Sequence, residues 1–396
     1  IDDMINSTTD YRYNPLLNQQ NSERESKTTN LSLNTYLEYS ILPSLKLRIT
    51  GIVNQATVVD EAFNNSKSYL GNPITAPGRL NGVNGSTYTG KVANWANENT
   101  LTWSKVYNKR HNFNVLAGFT AQGNKSSRNG FGSTLLPNEK IGLSGLEEGV
   151  ISASSIVATS SLWNLASFLG RAKYNFDGKY YVEASYRADG SSKFASKNHW
   201  GYFPSVATSW RFSKEDFLKE NSVLSEGKLR LSYGRTGNNR VDDFAYMAAN
   251  GLPAVLSYSF NNSYVASLIP GYNGSTSSYS LGNAEVKWET TDQYNAGVDL
   301  GFLKDRISLT VDVYKKITKD LLLRANLPYS SGYNMAYKNI GRVENKGLEF
   351  SLNTTNIQNG VFKWTSSFNI SFNRNKVLGL AENQETLLTS VNWDNG

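Results

Sequence analysis

The sequence contains no cysteine, so neither a disulfide framework nor a thiolate metal site can be built from it. Its only histidines, His111 and His199, lie far apart, and no HExxH, GxSxG, Walker or zinc spacing is present. No stretch approaches the roughly 18 apolar residues of a membrane-spanning helix. That does not make the chain soluble, because barrel strands hide their membrane signal in alternation. Long runs of positive charge are also missing. The net charge is +7, from 40 Lys and Arg against 33 Asp and Glu, yet the longest basic runs are the pairs Lys109-Arg110 and Lys315-Lys316. A mildly basic solvated surface or lumen is therefore expected, and no nucleic-acid partner. The start, Ile1-Asp2-Asp3, lacks the charged segment and apolar core of a signal peptide, so an exported protein beginning this way is expected to be processed or incomplete.

Aromatic residues are plentiful: 23 Tyr, 17 Phe and 8 Trp in a chain only 18% charged. With abundant Asn, Ser and Thr, this suggests β-structure with one apolar and one polar face. Alternation bears that out at the level of sequence. From Leu31 to Ile41 one face reads Leu31, Leu33, Thr35, Leu37, Tyr39, Ile41, and the other Ser32, Asn34, Tyr36, Glu38, Ser40. Ile307 to Val313 and Phe362 to Phe372 repeat the pattern. About twelve strands are predicted, near 31–42, 45–57, 92–106, 112–122, 163–176, 180–189, 202–212, 228–236, 287–302, 306–320, 340–355 and 361–374. Short connections alternate with long ones, apart from 213–227, which has room for a small helix. Bacterial outer-membrane barrels have this parity, with short periplasmic turns and longer outer loops, whereas a soluble sandwich has no reason to keep it. The segments also exceed the usual five or six residues or so of soluble strands. Trp95, Trp103, Tyr180, Trp210, Trp288 and Trp364 fall near strand ends, where aromatic girdles are expected.

Candidate chemistry is sparse. The glycine-rich run Gly142–Gly149 has no βαβ context and reads as a turn-forming loop. Asp242-Asp243 and Glu147-Glu148 lack the spaced ligand series of a calcium loop. His111 and His199 are expected to be solvated. No catalytic residue, cofactor site or metal site is assigned, and an enzyme is the weaker class. The longest loop carries Tyr246, Tyr258, Phe260, Tyr264, Tyr272 and Tyr279 among Asn, Gly and Ser. Such rings can stack on a sugar or peptide while neighbouring amides hydrogen-bond, or can pack the loop against itself or a partner. Asp189-Gly190 and Gly234 through Asn238 read as strand-to-loop transitions where glycine relaxes backbone sterics.

Seven stretches, in order, carry a family likeness. They are RADGSSKF (Arg187–Phe194), WGYFPSVATSWRFSKEDF (Trp200–Phe217), LRLSYGRTGN (Leu229–Asn238) and VKWETTDQYNAGVDLGFLKDR (Val286–Arg306), then DVYKKITKDLLL (Asp312–Leu323), NIGRVENKGLEFSL (Asn339–Leu352) and FNISFNRNKV (Phe368–Val377). From about Leu31 to Val377 the chain resembles the SusC-like (SusC/RagA) TonB-dependent transporters of Bacteroidetes. The resemblance implies a bacterial outer-membrane, all-β, antiparallel transmembrane barrel, of about 22 strands and plugged, of which residues 1–396 would be a central part. It implies active import of a bulky nutrient, oligosaccharide before peptide, with a SusD-like surface lipoprotein as lid. TonB would act through a part outside this chain, since no plug, TonB-interacting segment or closing C-terminal strand is found in it. Leu309, Val311, Phe368 and Ile370 are then expected to face lipid, and Thr310, Asp312 and Asn369 the lumen. Two other readings stay open: a complete small outer-membrane barrel pore, and an extracellular β-rich binding or adhesin module.

Overall fold

The computed structural model describes residues 13–218, 223–247, 250–251, 257–260, 263–266, 269–270, 280–328 and 335–380. The main sheet has twelve strands: β1 (Ser22–Leu42), β2 (Leu45–Asn64), β3 (Asn84–Tyr107), β4 (His111–Thr134), β5 (Val157–Phe176) and β6 (Tyr180–Ser191), followed by β7 (Trp200–Trp210), β8 (Leu224–Asn238), β9 (Glu289–Phe302), β10 (Ile307–Lys319), β11 (Arg342–Gln358) and β12 (Lys363–Gly379). They are hydrogen-bonded in chain order, with the two-residue strand Val150–Ile151 added beside β4, and β1 and β12 at the two ends of the order. Within this sheet the strand pairs are antiparallel wherever register is assigned.

The turn chemistry explains the short connections. Asn108 and Lys109 have φ of 47° and 57°, and Asp177 and Gly178 have 56° and 65°, so both hairpins use turns with two left-handed central residues. That backbone hand matches the right-handed twist of the flanking strands. Among its described residues, the exception at 213–227 holds two single 3-10 turns, Phe212–Lys214 and Asp216–Leu218.

Two compact units are distinguished. The first comprises residues 1–36, 50–97 and 122–163. It contains a helix, Ala76–Asn81, whose Thr75 hydroxyl accepts from the Gly78 amide at 3.0 Å and whose end at Gly82 (φ 55°) needs glycine. A small core of Phe63, Leu136 and Leu146 lies here, with Leu146 supplied by the 3-10 segment Gly142–Glu148. The glycine-rich run is thus a packing device.

The second unit comprises residues 37–49, 98–121 and 164–396. Register sorts its side chains into two faces. One face carries the cross-strand rows Leu229–Val298–Val311–Phe350–Ile370 and Leu231–Ala296–Val313–Leu348–Phe372. The other carries Arg230, Asp312, Glu349 and Ser371. On the apolar face Tyr202 is 55% exposed, Val313 52%, Phe368 57% and Phe372 56%. A soluble sheet buries such a face beneath a second layer. Among the described residues none covers this one.

Candidate functional site

The polar face of β8–β12 is held by a charged network. The Arg230 guanidinium donates from Nε to Asp299 Oδ2 at 2.8 Å and from Nη2 to Asp299 Oδ1 at 3.0 Å. It reaches Asp312 at 3.0 Å, and Thr310 Oγ1 donates to Asp299 at 3.2 Å. The strands therefore bring Thr310 and Asp312 together with Arg230 and Asp299 on one wall. Asn369 joins that face as the partner of Ser351, itself opposite Thr310. Leu309, Val311, Phe368 and Ile370 all lie on the opposite, apolar face. Neutral groups line the polar wall beside the network: Ser185 and Ser205 hydroxyls 2.7 Å apart, Thr291 and Thr318 at 2.9 Å, and Gln293 donating to Asn295 at 3.2 Å.

Where the strands run into the long connections, a second cluster forms. Phe194, Phe203, Val241, Val286 and Trp288 are buried together, with Leu165, Leu322 and Tyr337 against them. Phe194 has no exposed surface, and its ring centroid lies 5.3 Å from that of Trp288. Trp288 Nε1 donates to the His199 carbonyl at 2.9 Å. Asn339 ties three segments: its amide oxygen accepts from Lys287 N at 2.8 Å, and its Nδ2 donates to Lys287 O at 2.8 Å and Asp320 O at 2.9 Å. Asp242 accepts from Arg324 at 2.7 Å and from the Tyr337 hydroxyl at 2.8 Å, while Asp243 faces Lys193 at 3.2 Å. Both carboxylates already have cationic partners. This cluster is built from the separated motifs containing Phe194, Phe203, Trp288 and Asn339, and it fixes the base of the longest loop.

Of the loop aromatics, Tyr246 is partly buried in the turn that Asp242 anchors, with its ring 6.5 Å from Phe244. Tyr258, Phe260 and Tyr264 fall in a small hairpin, Ser257–Phe260 with Ser263–Ala266, whose side chains lie outside the described residues. Tyr272 and Tyr279 lie outside them altogether.

Three sequence expectations change. Trp288 is 7% exposed in the loop-base cluster, so it belongs to a core and not to a girdle. Gly190 and Gly237 have no left-handed backbone. Their role is close approach: a Cβ on Gly190 would meet the Trp200 ring at 3.1 Å, and one on Gly237 the Phe203 ring at 2.1 Å. His111 is not simply solvated, since its Nδ1 lies 2.9 Å from the Tyr174 hydroxyl and its ring 5.0 Å from Phe176. Gly237→Ala is expected to destabilise the full receptor by about 1–3 kcal/mol through overpacking. Gly234→Ala, whose Cβ would find Ser205 at an ordinary 3.5 Å, should leave the unfolding midpoint in detergent unchanged or higher. Equal losses would show that the Phe203 contact is not the cause.

The apolar face carries two lines of rings. At the short-turn ends Trp103, Phe113, Tyr174, His111, Phe176 and Tyr180 form a continuous chain of ring contacts. Beside them the Glu215 carboxyl accepts from the Tyr180 hydroxyl, the Trp210 indole and Lys179, which together hold it down to about 2. Toward the long loops come Phe119–Phe168–Trp200, Tyr186–Tyr202 and Tyr233–Tyr294. The two lines stand some 20–26 Å apart along a strand, roughly the apolar height of an outer-membrane barrel.

Comparison with known proteins gives a consistent result. The family model described as TonB dependent receptor-like, beta-barrel, matches residues 2–393. TonB-dependent receptor P39 of Formosa agariphila is 31% identical over 373 residues, covering 94% of this chain and 34% of the relative. TonB-dependent receptor SusC of Bacteroides thetaiotaomicron is 40% identical over 218 residues, 54% of this chain and 21% of that protein. The RagAB peptide importer in its closed-closed state superposes with a TM-score of 0.80 at 24% identity, over 94% of this chain and 39% of that one, a likeness of fold. The chain spans about a third of the length of the curated relatives it matches.

Proposed function

The chain belongs to the TonB-dependent receptor β-barrel family of the bacterial outer membrane, of SusC/RagA type, and from that premise we propose that the complete receptor actively imports a bulky nutrient. Residues 1–396 supply part of one barrel domain, whose full circle is a plugged barrel of about 22 strands. The observation that carries this reading is the single-layer sheet, with exposed rings on one face and a hydrogen-bonded polar network on the other. Leu309, Val311, Phe368 and Ile370 face lipid, and Thr310, Asp312 and Asn369 face the lumen.

A SusD-like lipoprotein covers the outer mouth, and TonB supplies energy through a segment outside this chain. The cargo is an oligosaccharide in preference to a peptide. Support comes from the Tyr-, Asn- and Gly-rich sequence of the loop 237–286, and from the neutral hydroxyls and amides of the polar wall. Rings stack on the apolar faces of sugars, and individually weak hydrogen bonds let cargo leave as well as enter. RagAB is a peptide importer, but at 24% identity that likeness does not assign cargo.

Uptake in cells lacking the gene, supplied with candidate glycans and peptides too large for porin diffusion, tests the proposal. Loss of uptake of one oligosaccharide, restored by the gene only when TonB is present, is the expected outcome. Undiminished uptake of every candidate, or import that continues without TonB, rules the reading out.

A further inference from the structure

On the apolar face of the second unit, alternation stops abruptly toward the long loops. Two residues beyond the row Val313–Leu348–Phe372 comes Lys315–Lys346–Arg374, three cations directly opposite one another on adjacent strands. The next row places Glu344 opposite Lys376. Glu344 forms its ion pair with Lys315, at 2.9 Å. Among the described residues no carboxylate lies within ion-pair distance of Lys346, Arg374 or Lys376, and all three are exposed. Nearby, Asp292 is already shared by Arg235 at 2.8 Å and Lys319 at 3.0 Å. Like charges directly opposite in a sheet are destabilising, and each pair of long side chains could have been spared by one acidic substitution. An external anion would balance the arrangement.

Beside these cations, in their own cross-strand row and the row nearer the short turns, lies a shallow groove of about 650 Å³, lined by Val206, Leu231, Tyr233, Tyr294, Ala296 and Val313, with Lys315 and Lys346 at one edge. Apolar channel and basic rim together have the chemistry of an acyl chain joined to a phosphate. Long connections mark the outer side of such a barrel, so the basic edge sits at the level of the outer-leaflet headgroups, in the same cross-strand row as the Tyr233–Tyr294 ring pair.

We propose that this face binds one lipid of the outer leaflet, its phosphorylated headgroup held by Lys315, Lys346, Arg374 and Lys376 and an acyl chain lying in the groove beside them. Guanidinium and ammonium groups hold phosphate by charge-assisted hydrogen bonds, and clusters of Lys and Arg at a membrane surface select anionic lipid. The inference rests on the membrane orientation given above but not on import, and its test reads lipid affinity alone.

The full receptor, purified in neutral detergent, is titrated with an acylated glucosamine disaccharide carrying a phosphate, with the same molecule after phosphatase treatment, and with inorganic phosphate. The phosphorylated lipid is expected to bind at least tenfold more tightly than the dephosphorylated form. The double variant K346Q/R374Q should lose at least tenfold in affinity for it, whereas K46Q, on the polar face beside Glu38, should lose none. Because the double variant relieves like-charge repulsion, it should fold at least as well, which the retained heat-modifiable barrel band on a gel verifies. Equal affinity for both lipid forms, an unaffected double variant, or inorganic phosphate binding as tightly as the lipid would each overturn the proposal.

Discussion

Phe194→Ala is expected to lower the stability of the full receptor by about 3–5 kcal/mol, the usual cost of truncating a fully buried phenylalanine. The ring is completely enclosed by the loop-base cluster and stacks at a tilt on Trp288. Its neighbours cannot collapse into the gap without breaking fixed contacts. Trp288 is held by the His199 carbonyl, and Phe203 is packed against the backbone of Gly237. The cavity therefore remains, and the lost contacts add to the lost burial. Denaturant or thermal unfolding of the receptor in detergent measures the change. A loss below about 1 kcal/mol would mean that the cluster relaxes freely and does not clamp the loop bases. Phe194→Leu, which keeps most of the volume, should recover more than half of the loss.

Val311→Arg is expected to cost about 2–4 kcal/mol, because it puts a guanidinium on the face proposed to meet lipid, near the middle of the bilayer. Val311 pairs with Val298 on one side and Phe350 on the other, and it lies midway between Ile307 at the turn end and the basic row at Lys315. No water is available there, and the nearest headgroups are a full side-chain length away. Its sequence neighbour gives the contrast. Asp312→Asn should change stability by less than about 1 kcal/mol, since the two-point Arg230–Asp299 pair survives and the lumen solvates the amide. Refolding of both variants into lipid vesicles, with unfolding followed by urea, supplies the comparison. Equal effects would show that the alternation on β10 does not report a membrane face.

Much of the wall was legible from the amino-acid order. All twelve predicted strands are present, and their turn-side ends agree to within a few residues, as at 42/45, 107/111 and 176/180. Most loop-side ends run further than alternation indicates: β1 begins at Ser22 where the pattern begins near Leu31, and β4 continues to Thr134, whereas β9, β10 and β11 stop one or two residues short. The reason is physical. SERESKTTN, which opens β1, has no apolar face to display, yet backbone pairing continues wherever a neighbour offers hydrogen bonds. Amphipathicity marks only the part of a strand that meets lipid. Likewise the facing of Leu309, Val311, Phe368 and Ile370 against Thr310, Asp312 and Asn369 follows from a period of two and needed no coordinates to assign to opposite faces.

The Arg230–Asp299–Asp312 network could not be read that way, because its members come from three strands and meet only through register, which turn lengths set. The same holds for the Lys315–Lys346–Arg374 row. Trp288 shows the limit most clearly. In sequence it is one more tryptophan near a strand end. In space it meets Phe194 and Phe203, each from a different segment. The sequence by itself determined which residues become strands, which faces are wet and dry, and which family the chain resembles, because these depend on local periodicity and residue type. Which side chains touch across strands and loops, and hence where charge is paired, where cations stand together and where rings are buried, was decided only by tertiary structure, since those contacts join residues from separate strands and loops.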